Sequence, residues 1–211
     1  MEQGIALAEW VELSDALMRG LVHALNNRIT ALSAFAELVG LGDEEFTPER
    51  VLPGELTRLH QVNDLFRLLV PDDPGPEALE LLPVLDDALA LHAHHPRLRS
   101  VRLDVQQSGT IVPLRVPRWA LLRLLLMVME FGKRNAEAAQ RTTSTVRIEG
   151  DDDFLVISAD TGGVQSHYTG AMALRCGGSV SLSGDDLCVR LPTLLQVRRA
   201  ERVARGVIAS P

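Results

Sequence analysis

A long run of apolar residues at helical spacing, close to the N-terminus, leaves this chain few ways to fold. Between Leu7 and Val39 the apolar side chains recur every three to four residues. Those that share one side of the predicted helix are Trp10, Leu17, Leu21, Leu25, Leu32, Phe35 and Val39. This period predicts one long amphipathic helix that buries one side and leaves the other side polar.

His23 lies in the middle of the polar side of that helix. The residues that share its face, at helical spacings before and after it, are Asp15, Arg19, Asn26, Asn27 and Thr30. A neutral imidazole has a free nitrogen lone pair near pH 7, so an exposed histidine on a rigid helix is a candidate nucleophile. The alternative is a solvated surface histidine, which the spacing alone favours.

A second helix follows after a short link. The first helix is predicted to end within residues 40–49, with Gly40 and Gly42 as candidate C-caps. Thr47 and Pro48 could start the second helix, although Pro53 and Gly54 could delay it to Glu55. Its apolar residues at helical spacing are Leu56, Leu59, Val62, Leu65, Phe66 and Leu69. The pattern predicts an antiparallel helical hairpin over residues 1–70, which pairs with a second copy to form a dimeric four-helix bundle. The competing interpretation is that the hairpin folds onto the rest of its own chain.

The sequence changes character after residues 71–77, a proline-rich and acidic linker. Residues 78–195 mix helix and strand signals and predict an α/β sandwich, so the fold class as a whole is α+β. The predicted helices in this domain are residues 78–95, residues 118–140 and a short one near residues 169–176. The predicted strands are residues 101–107, 110–117, 145–150 and 154–160, followed by an antiparallel pair at 179–184 and 187–192. Residues 196–211 form a basic tail, predicted to be a helix that frays.

The residues around His23, HALNNRIT, resemble the H-box of sensor histidine kinases. This resemblance implies that His23 is the phosphoacceptor and that Asn27 holds the position that assists hydrolysis of the phosphorylated partner. Two residues depart from the family pattern: Ala24 replaces the acid that serves as the base for autophosphorylation, and Arg28 replaces the usual proline. A histidine without that acid can accept a phosphoryl group from an aspartyl phosphate but is poorly equipped to attack ATP.

The second domain is similar in element order to the ATP-binding domain of histidine kinases, with degenerate motifs. Met127 and Phe131 stand where the family has the two asparagines of the N-box, and Asn135 comes a turn too late. Phenylalanine has no oxygen to offer to Mg²⁺. Asp160 and Gly162 match the adenine-reading turn, but residues 164–169 are too few to form a mobile ATP lid. The alternative for Asp160 and Gly162 is a simple strand-to-helix turn, which the missing lid and asparagines favour.

Composition narrows the function classes. The net charge of −7 argues against nucleic acid as a partner, and the N-terminus lacks the pattern of a signal peptide. No apolar stretch is long enough for a bilayer, so no membrane contact and a cytoplasmic location are expected. Cys176 and Cys188 are interpreted as free thiols. His92, His94 and His95 are interpreted as a solvated helix end and not as a metal site.

The resemblance implies a histidine phosphotransfer protein of a bacterial two-component phosphorelay, acting as a homodimer. The phosphoryl group would pass between His23 and the aspartate of a response-regulator receiver domain, with an upstream hybrid kinase as a further partner. No cofactor of its own is expected, since Mg²⁺ would be held by the receiver. Arg19, Asn26, Asn27 and Thr30 would orient His23 or contact the phosphoryl group. The alternatives are a divergent kinase that binds ATP, and a non-catalytic pseudokinase that blocks a kinase or a receiver.

Overall fold

The structure is a computed structural model and describes residues 2–40, 47–70 and 74–205. The helices are α1 (Glu2–Gly40), α2 (Pro48–Leu69), α3 (Leu81–His92), α4 (Arg118–Ala138), α5 (His167–Arg175) and α6 (Leu194–Ala204). The strands are β1 (Glu77–Leu79), β2 (Arg102–Gly109), β3 (Leu114–Val116), β4 (Thr143–Gly150), β5 (Phe154–Asp160), β6 (Ser179–Ser183) and β7 (Asp186–Pro192). A short 3₁₀ turn, Leu98–Ser100, lies between α3 and β2.

The two N-terminal helices form the predicted hairpin. Trp10, Leu17, Leu21 and Phe35 on α1 are buried, as the helical period predicted. The buried Glu55 of α2 links the two helices of the hairpin, because its carboxylate accepts hydrogen bonds from Arg28 on α1 and from Arg58 on α2. The structure thus reproduces the hairpin and its buried side.

The start of α2 corrects one expectation. The helix begins at Pro48 after the N-cap residue Thr47, which confirms that predicted start, and it runs through Pro53, so the alternative of a delay to Glu55 is wrong. Proline is tolerated at the first helical position, where its missing N–H would have no partner inside the helix. Pro53 removes only one further backbone hydrogen bond, and its carbonyl accepts a hydrogen bond from the Thr57 hydroxyl at 2.8 Å. Gly42, the second predicted C-cap of the first helix, lies outside the described residues.

A mixed sheet of five strands forms the centre of the second part of the chain. Its order is β2-β4-β5-β7-β6, with β2 and β4 parallel and the other neighbours antiparallel. The terminal strand pair, β6 and β7, was predicted from the sequence. Helix α4 is buried along most of its length and packs against this sheet, with α3 and α5 beside it.

Strand β1 corrects a second expectation. Residues 78–80 were predicted to belong to a helix, but Glu77–Leu79 pairs antiparallel with Leu114–Val116 in a separate two-stranded sheet. Helix α3 begins only after this strand, with Glu80 as its N-cap residue. The pairing joins segments far apart in the chain, so the local periodicity used for the prediction could not reveal it.

The hairpin and the sandwich share one hydrophobic core. Trp10, Leu13, Leu17 and Leu21 of α1 belong to the same cluster of buried residues as the side chains of α3, α4 and the sheet. The first half of α1 therefore contacts the rest of its own chain, and the second half of α2 packs against the same core through Val62, Leu65 and Leu69. None of the described helices is both long and apolar enough to cross a bilayer.

Candidate functional site

His23 lies exposed on α1, where the polar side of the helix was predicted to place it. The side-chain amide nitrogen of Asn27, one turn later, is 3.3 Å from His23 Nε2. With this amide nitrogen as the donor, Nε2 is the acceptor, which corresponds to the tautomer with its ring proton on Nδ1. The lone pair of Nε2, which here accepts from Asn27, is the candidate nucleophilic position of His23.

The face of α1 that carries His23 opens into a cavity of about 700 Å³. The cavity lies between α1, the segment that follows α3, and α4. Its lining residues are Glu12, Ala16, Arg19, Gly20, His23, His95, Pro96, Arg97, Leu98, Arg99, Glu130, Arg134 and Glu137. Arg19 therefore shares the cavity with His23, as the helical spacing suggested. Asn26 and Thr30 are exposed on the same helix.

Arginines give this cavity its chemical character. Arg134 on α4 is held in place by Glu130, at 2.5 Å, and by Glu12 on α1, at 2.9 Å. Arg19, Arg97 and Arg99 are exposed and line the same space. A guanidinium group carries a permanent charge and several fixed N–H donors that match the oxygens of a phosphoryl group or a carboxylate. Glu12, Glu130 and Glu137 also line the cavity, and Arg134 is paired with the first two. The exposed Arg19, Arg97 and Arg99 are therefore the groups that can meet an anion brought to His23 from outside.

Behind this cavity lies a buried cluster of His92, His95 and Glu130, which corrects a third expectation. His92 and His95 are 3% and 2% exposed, so the interpretation of these histidines as a solvated helix end is wrong. Nε2 of His92 lies 3.1 Å from one oxygen of Glu130, and Nε2 of His95 lies 3.6 Å from the other. Glu130 comes from α4 and reaches the histidines only through the fold, so their spacing in the chain could not reveal it.

The protonation of this cluster follows from its contacts. The backbone N–H of Leu98 donates to His95 Nδ1 at 3.2 Å, so His95 accepts at that nitrogen. Burial lowers the pKa of His95, and the nearby charge of Glu130 only partly offsets this effect. Burial opposes the charge of Glu130, but its hydrogen bond with His92 and the charges of its neighbours lower its pKa overall. Among the described residues, no group of three or more side chains could hold a metal ion.

The turn after β5 contains the predicted remnant of the adenine-reading motif. The Asp160 carboxylate accepts hydrogen bonds from the Asn135 side chain at 2.7 Å and from the backbone N–H of Gly162 at 3.1 Å. Its other oxygen is 2.8 Å from Arg141. Burial opposes the charge of Asp160, but the Gly162 N–H and Arg141 lower its pKa overall. Gly162 adopts a φ of 65° against the Asn135 side chain, a conformation that favours glycine.

These residues fit ATP and Mg²⁺ poorly. Asp160 is already engaged by three donors of its own chain, and the amide of Asn135 is turned toward it. The half-buried Phe131 on α4 provides no oxygen for a metal ion.

Helix α5 follows the turn almost directly and docks on α1. The Glu9 carboxylate accepts hydrogen bonds from the Ser166 hydroxyl at 2.5 Å and from the backbone N–H of Tyr168 at 3.0 Å. The rings of Trp10 and Tyr168 stack with their centres 5.6 Å apart. Arg123 lies over Trp10 and donates to the Tyr168 hydroxyl at 3.0 Å. These contacts fix α5 to the first half of α1.

An exposed histidine on a helical hairpin, followed by a sandwich in which an Asp-Thr-Gly turn ends β5, is a histidine-kinase-like arrangement. No protein-family model matches the chain, and no curated protein matches it. Solved structures do: the Acinetobacter baumannii histidine kinase AdeS is 12% identical, with 82% of this chain and 98% of that chain covered and a TM-score of 0.45.

Two further solved structures are similar to this chain, one over little more than half of its length and the other over most of it. The ATP-binding domain of PrrB from Mycobacterium tuberculosis is 15% identical, with 58% of this chain and 98% of that chain covered and a TM-score of 0.45. A bacterial phosphotransferase is 15% identical, with 85% of this chain and 95% of that chain covered and a TM-score of 0.38.

Proposed function

We propose that this protein is a histidine phosphotransfer protein, which exchanges a phosphoryl group between His23 and the aspartate of a receiver domain. The observation that carries the proposal is the exposed His23, with Nε2 oriented by Asn27 beside a cavity rich in arginine. Phosphoryl transfer needs mainly positioning and stabilisation of charge, so few groups on the histidine side are sufficient.

The transfer step uses the lone pair of His23 Nε2. This nitrogen attacks the phosphorus atom of the aspartyl phosphate, the bond from phosphorus to the aspartate oxygen breaks, and the aspartate leaves as a carboxylate. The proton on Nδ1 stays on the ring, and the reverse reaction follows the same path. Asn27 must release Nε2 as the phosphorus approaches, after which its amide can donate to a phosphoryl oxygen. Arg19 is placed to accompany the incoming charge, and Asn26 and Thr30 remain candidate contacts of the receiver.

A homodimer is part of the proposal. Four exposed apolar residues on α1 follow one another at intervals of seven, four and seven residues, namely Val11, Met18, Val22 and Ile29. This spacing is typical of a helix that packs against another helix. A second copy of the chain could cover this stripe and complete a four-helix bundle, which would leave His23 accessible beside it.

A divergent kinase is the second candidate. The turn with Asp160 and Gly162 at the end of β5 favours it, since both residues of the adenine-reading motif are kept. Three features argue against a kinase: Ala24 beside the histidine, the half-buried Phe131 on α4, and the contacts that already engage Asp160. A pseudokinase that binds a receiver without chemistry would need no reactive His23.

Labelling experiments separate the three functions. The purified protein is mixed with radiolabelled ATP alone, and separately with a labelled receiver from the same genome that has been freed of its kinase and of ATP. The phosphotransfer function predicts label on the protein from the receiver only, lost in His23→Ala and kept in the control His60→Ala, an exposed histidine on α2. Label from ATP would instead establish a kinase, and the absence of label with an intact receiver complex would leave the pseudokinase.

A further inference from the structure

A second cavity, of about 320 Å³, lies on the other side of the buried histidines. It is bounded by α3, α4 and the start of β2. Its lining residues are Leu89, His92, Ala93, Arg99, Val101, Arg102, Leu103 and Lys133. The proposed phosphotransfer to His23 does not use this space.

Lys133 is the least expected residue in this lining. It is only 7% exposed, and its ammonium group makes no hydrogen bond or ion pair with the residues that the structure describes. Most of the side chain is covered, and a lysine covered to this extent is normally paired. Burial lowers the pKa of Lys133, and the charge of Glu130 raises it only in part.

Two further cations reach the same cavity, Arg99 and Arg102, and both are exposed. No carboxylate lines the space, although the chain as a whole carries a net charge of −7. Like charges gathered around one concave space repel each other unless an anion lies between them. The remaining lining, Leu89, Val101 and Leu103, is apolar and gives room for a small organic group beside the cations.

We propose that this cavity is a binding site for a small phosphate dianion, either inorganic phosphate or a phosphate monoester. Lys133 would bind as a point charge at the back, and the guanidinium groups of Arg99 and Arg102 would hold the outer oxygens. The volume is at the lower end of the range for ligand pockets, which restricts the ligand to a few heavy atoms beyond the phosphate.

The site is placed to communicate with His23. Arg99 lines both cavities. His92 lines the second cavity and hydrogen-bonds Glu130, which in turn lines the first cavity and fixes Arg134. An anion that draws Arg99 into the second cavity would remove one cation from the surroundings of His23. Binding is thus expected to change the rate of phosphotransfer, but the site itself does not depend on that reaction.

The competing explanation is that Lys133 buries only its apolar stem and extends its ammonium group toward water. It is tested by titrating the full-length protein with inorganic phosphate and with glycerol phosphate at constant ionic strength, using sodium chloride as the reference salt. Calorimetry gives the affinity, and the Lys133 ammonium is followed by NMR of its side chain. We expect saturable binding and a rise in the pKa of Lys133, because a bound anion favours its charged form.

Variants decide between the two explanations. Lys133→Met keeps the length of the side chain, and Arg102→Gln changes an exposed position that should not affect folding. Each is expected to weaken phosphate binding about tenfold or more, since one charge-assisted contact is lost. The control Arg50→Gln, an exposed arginine on α2, and His23→Ala should both bind as the unmodified protein does.

The outcomes have clear meanings. Tighter binding of glycerol phosphate than of inorganic phosphate would mean that the apolar lining of the cavity contacts the organic part of the ligand. Equal affinities would mean that the site recognises inorganic phosphate. If phosphate acts no differently from chloride, or if Lys133→Met and Arg102→Gln both bind with unchanged affinity, the proposal is overturned. Because His23→Ala retains the site, failure of the phosphotransfer proposal would leave this one standing.

Discussion

The carboxylate of Glu9, near the start of α1, accepts hydrogen bonds from the hydroxyl of Ser166 and the backbone N–H of Tyr168 at the start of α5. The first N–H groups of a helix have no partner inside the helix, so Glu9 serves as a capping group supplied by another element. The negative charge is also favourable at a helix N-terminus. This contact fixes the sandwich to α1 about 20 Å along the helix from His23.

Replacing Glu9 by alanine should therefore lower the free energy of unfolding by about 1 kcal/mol, the usual effect of losing a helix cap. Glu9→Gln should cost less, since the amide oxygen can still accept while the charge is lost. Urea denaturation followed by circular dichroism measures both. The matched control is Glu37→Ala, an exposed position on the same helix, which should change stability little. Equal effects at Glu9 and Glu37 would show that the contact does not stabilise the fold.

Asn27→Ala should slow phosphotransfer while leaving the fold intact. The side chain is exposed, so its removal takes little packing away, but Nε2 of His23 loses the group that orients it. We expect a loss of about tenfold in the single-turnover rate from a phosphorylated receiver, a typical cost of misplacing a reacting group. Glu37→Ala, an exposed position on the same helix about four turns after His23, is the control. A rate that stays the same in Asn27→Ala would remove Asn27 from the proposed mechanism.

The apolar stripe on α1 predicts the oligomeric state. Met18→Asp combined with Val22→Asp places two charges on a surface that a second copy is proposed to cover. Burying charges without partners is unfavourable, so the double variant should be a monomer in analytical ultracentrifugation, with unchanged helix content. Asn26→Asp on the polar side adds a charge without affecting the dimer. A monomeric unmodified protein would contradict the proposed bundle directly.

Most of the fold could be predicted because it depends on local patterns. The helical period of α1 and α2 and the alternation in β4 and β5 are visible in the sequence, and the structure confirms them. The pairing of β1 with β3 was missed, because it joins two segments of three residues each through contacts that are distant in the chain. Short strands carry too few residues to show a period.

The candidate site was predictable to a smaller extent. His23 and Asn27 lie one turn apart on a helix, so their proximity followed from spacing alone. The cluster around Glu130 did not, because its partners His92 and His95 come from α3 and from the segment after it. The surroundings of Lys133 were equally hidden, because they come from α3 and from the start of β2. The sequence did carry one indication of the buried cluster, namely a charged residue within the apolar run of α4. Such a residue on a buried helix usually has a specific partner.

The buried His95 predicts how stability depends on pH. Its pKa is lowered from the usual 6.5 because burial disfavours the charged ring. The unfolded chain therefore binds a proton that the folded chain does not. Stability is fully present above about pH 6.5 and is lost as the pH falls from there toward the folded pKa. His94, whose pKa is lowered by burial and by Arg99, acts in the same direction. Glu130, with its lowered pKa, adds a further loss only at more acidic pH.

His95→Asn tests this origin of the pH dependence. The asparagine oxygen can still accept from the Leu98 N–H, as Nδ1 of the histidine does, but the side chain does not titrate. Urea denaturation between about pH 7 and about pH 5 should give a smaller loss of stability in His95→Asn than in the unmodified protein. His60→Gln, at an exposed position on α2, should leave the slope unchanged. A slope that is the same in His95→Asn would mean that the ring protonates without cost, and hence that Glu130 stabilises its charge in the folded state.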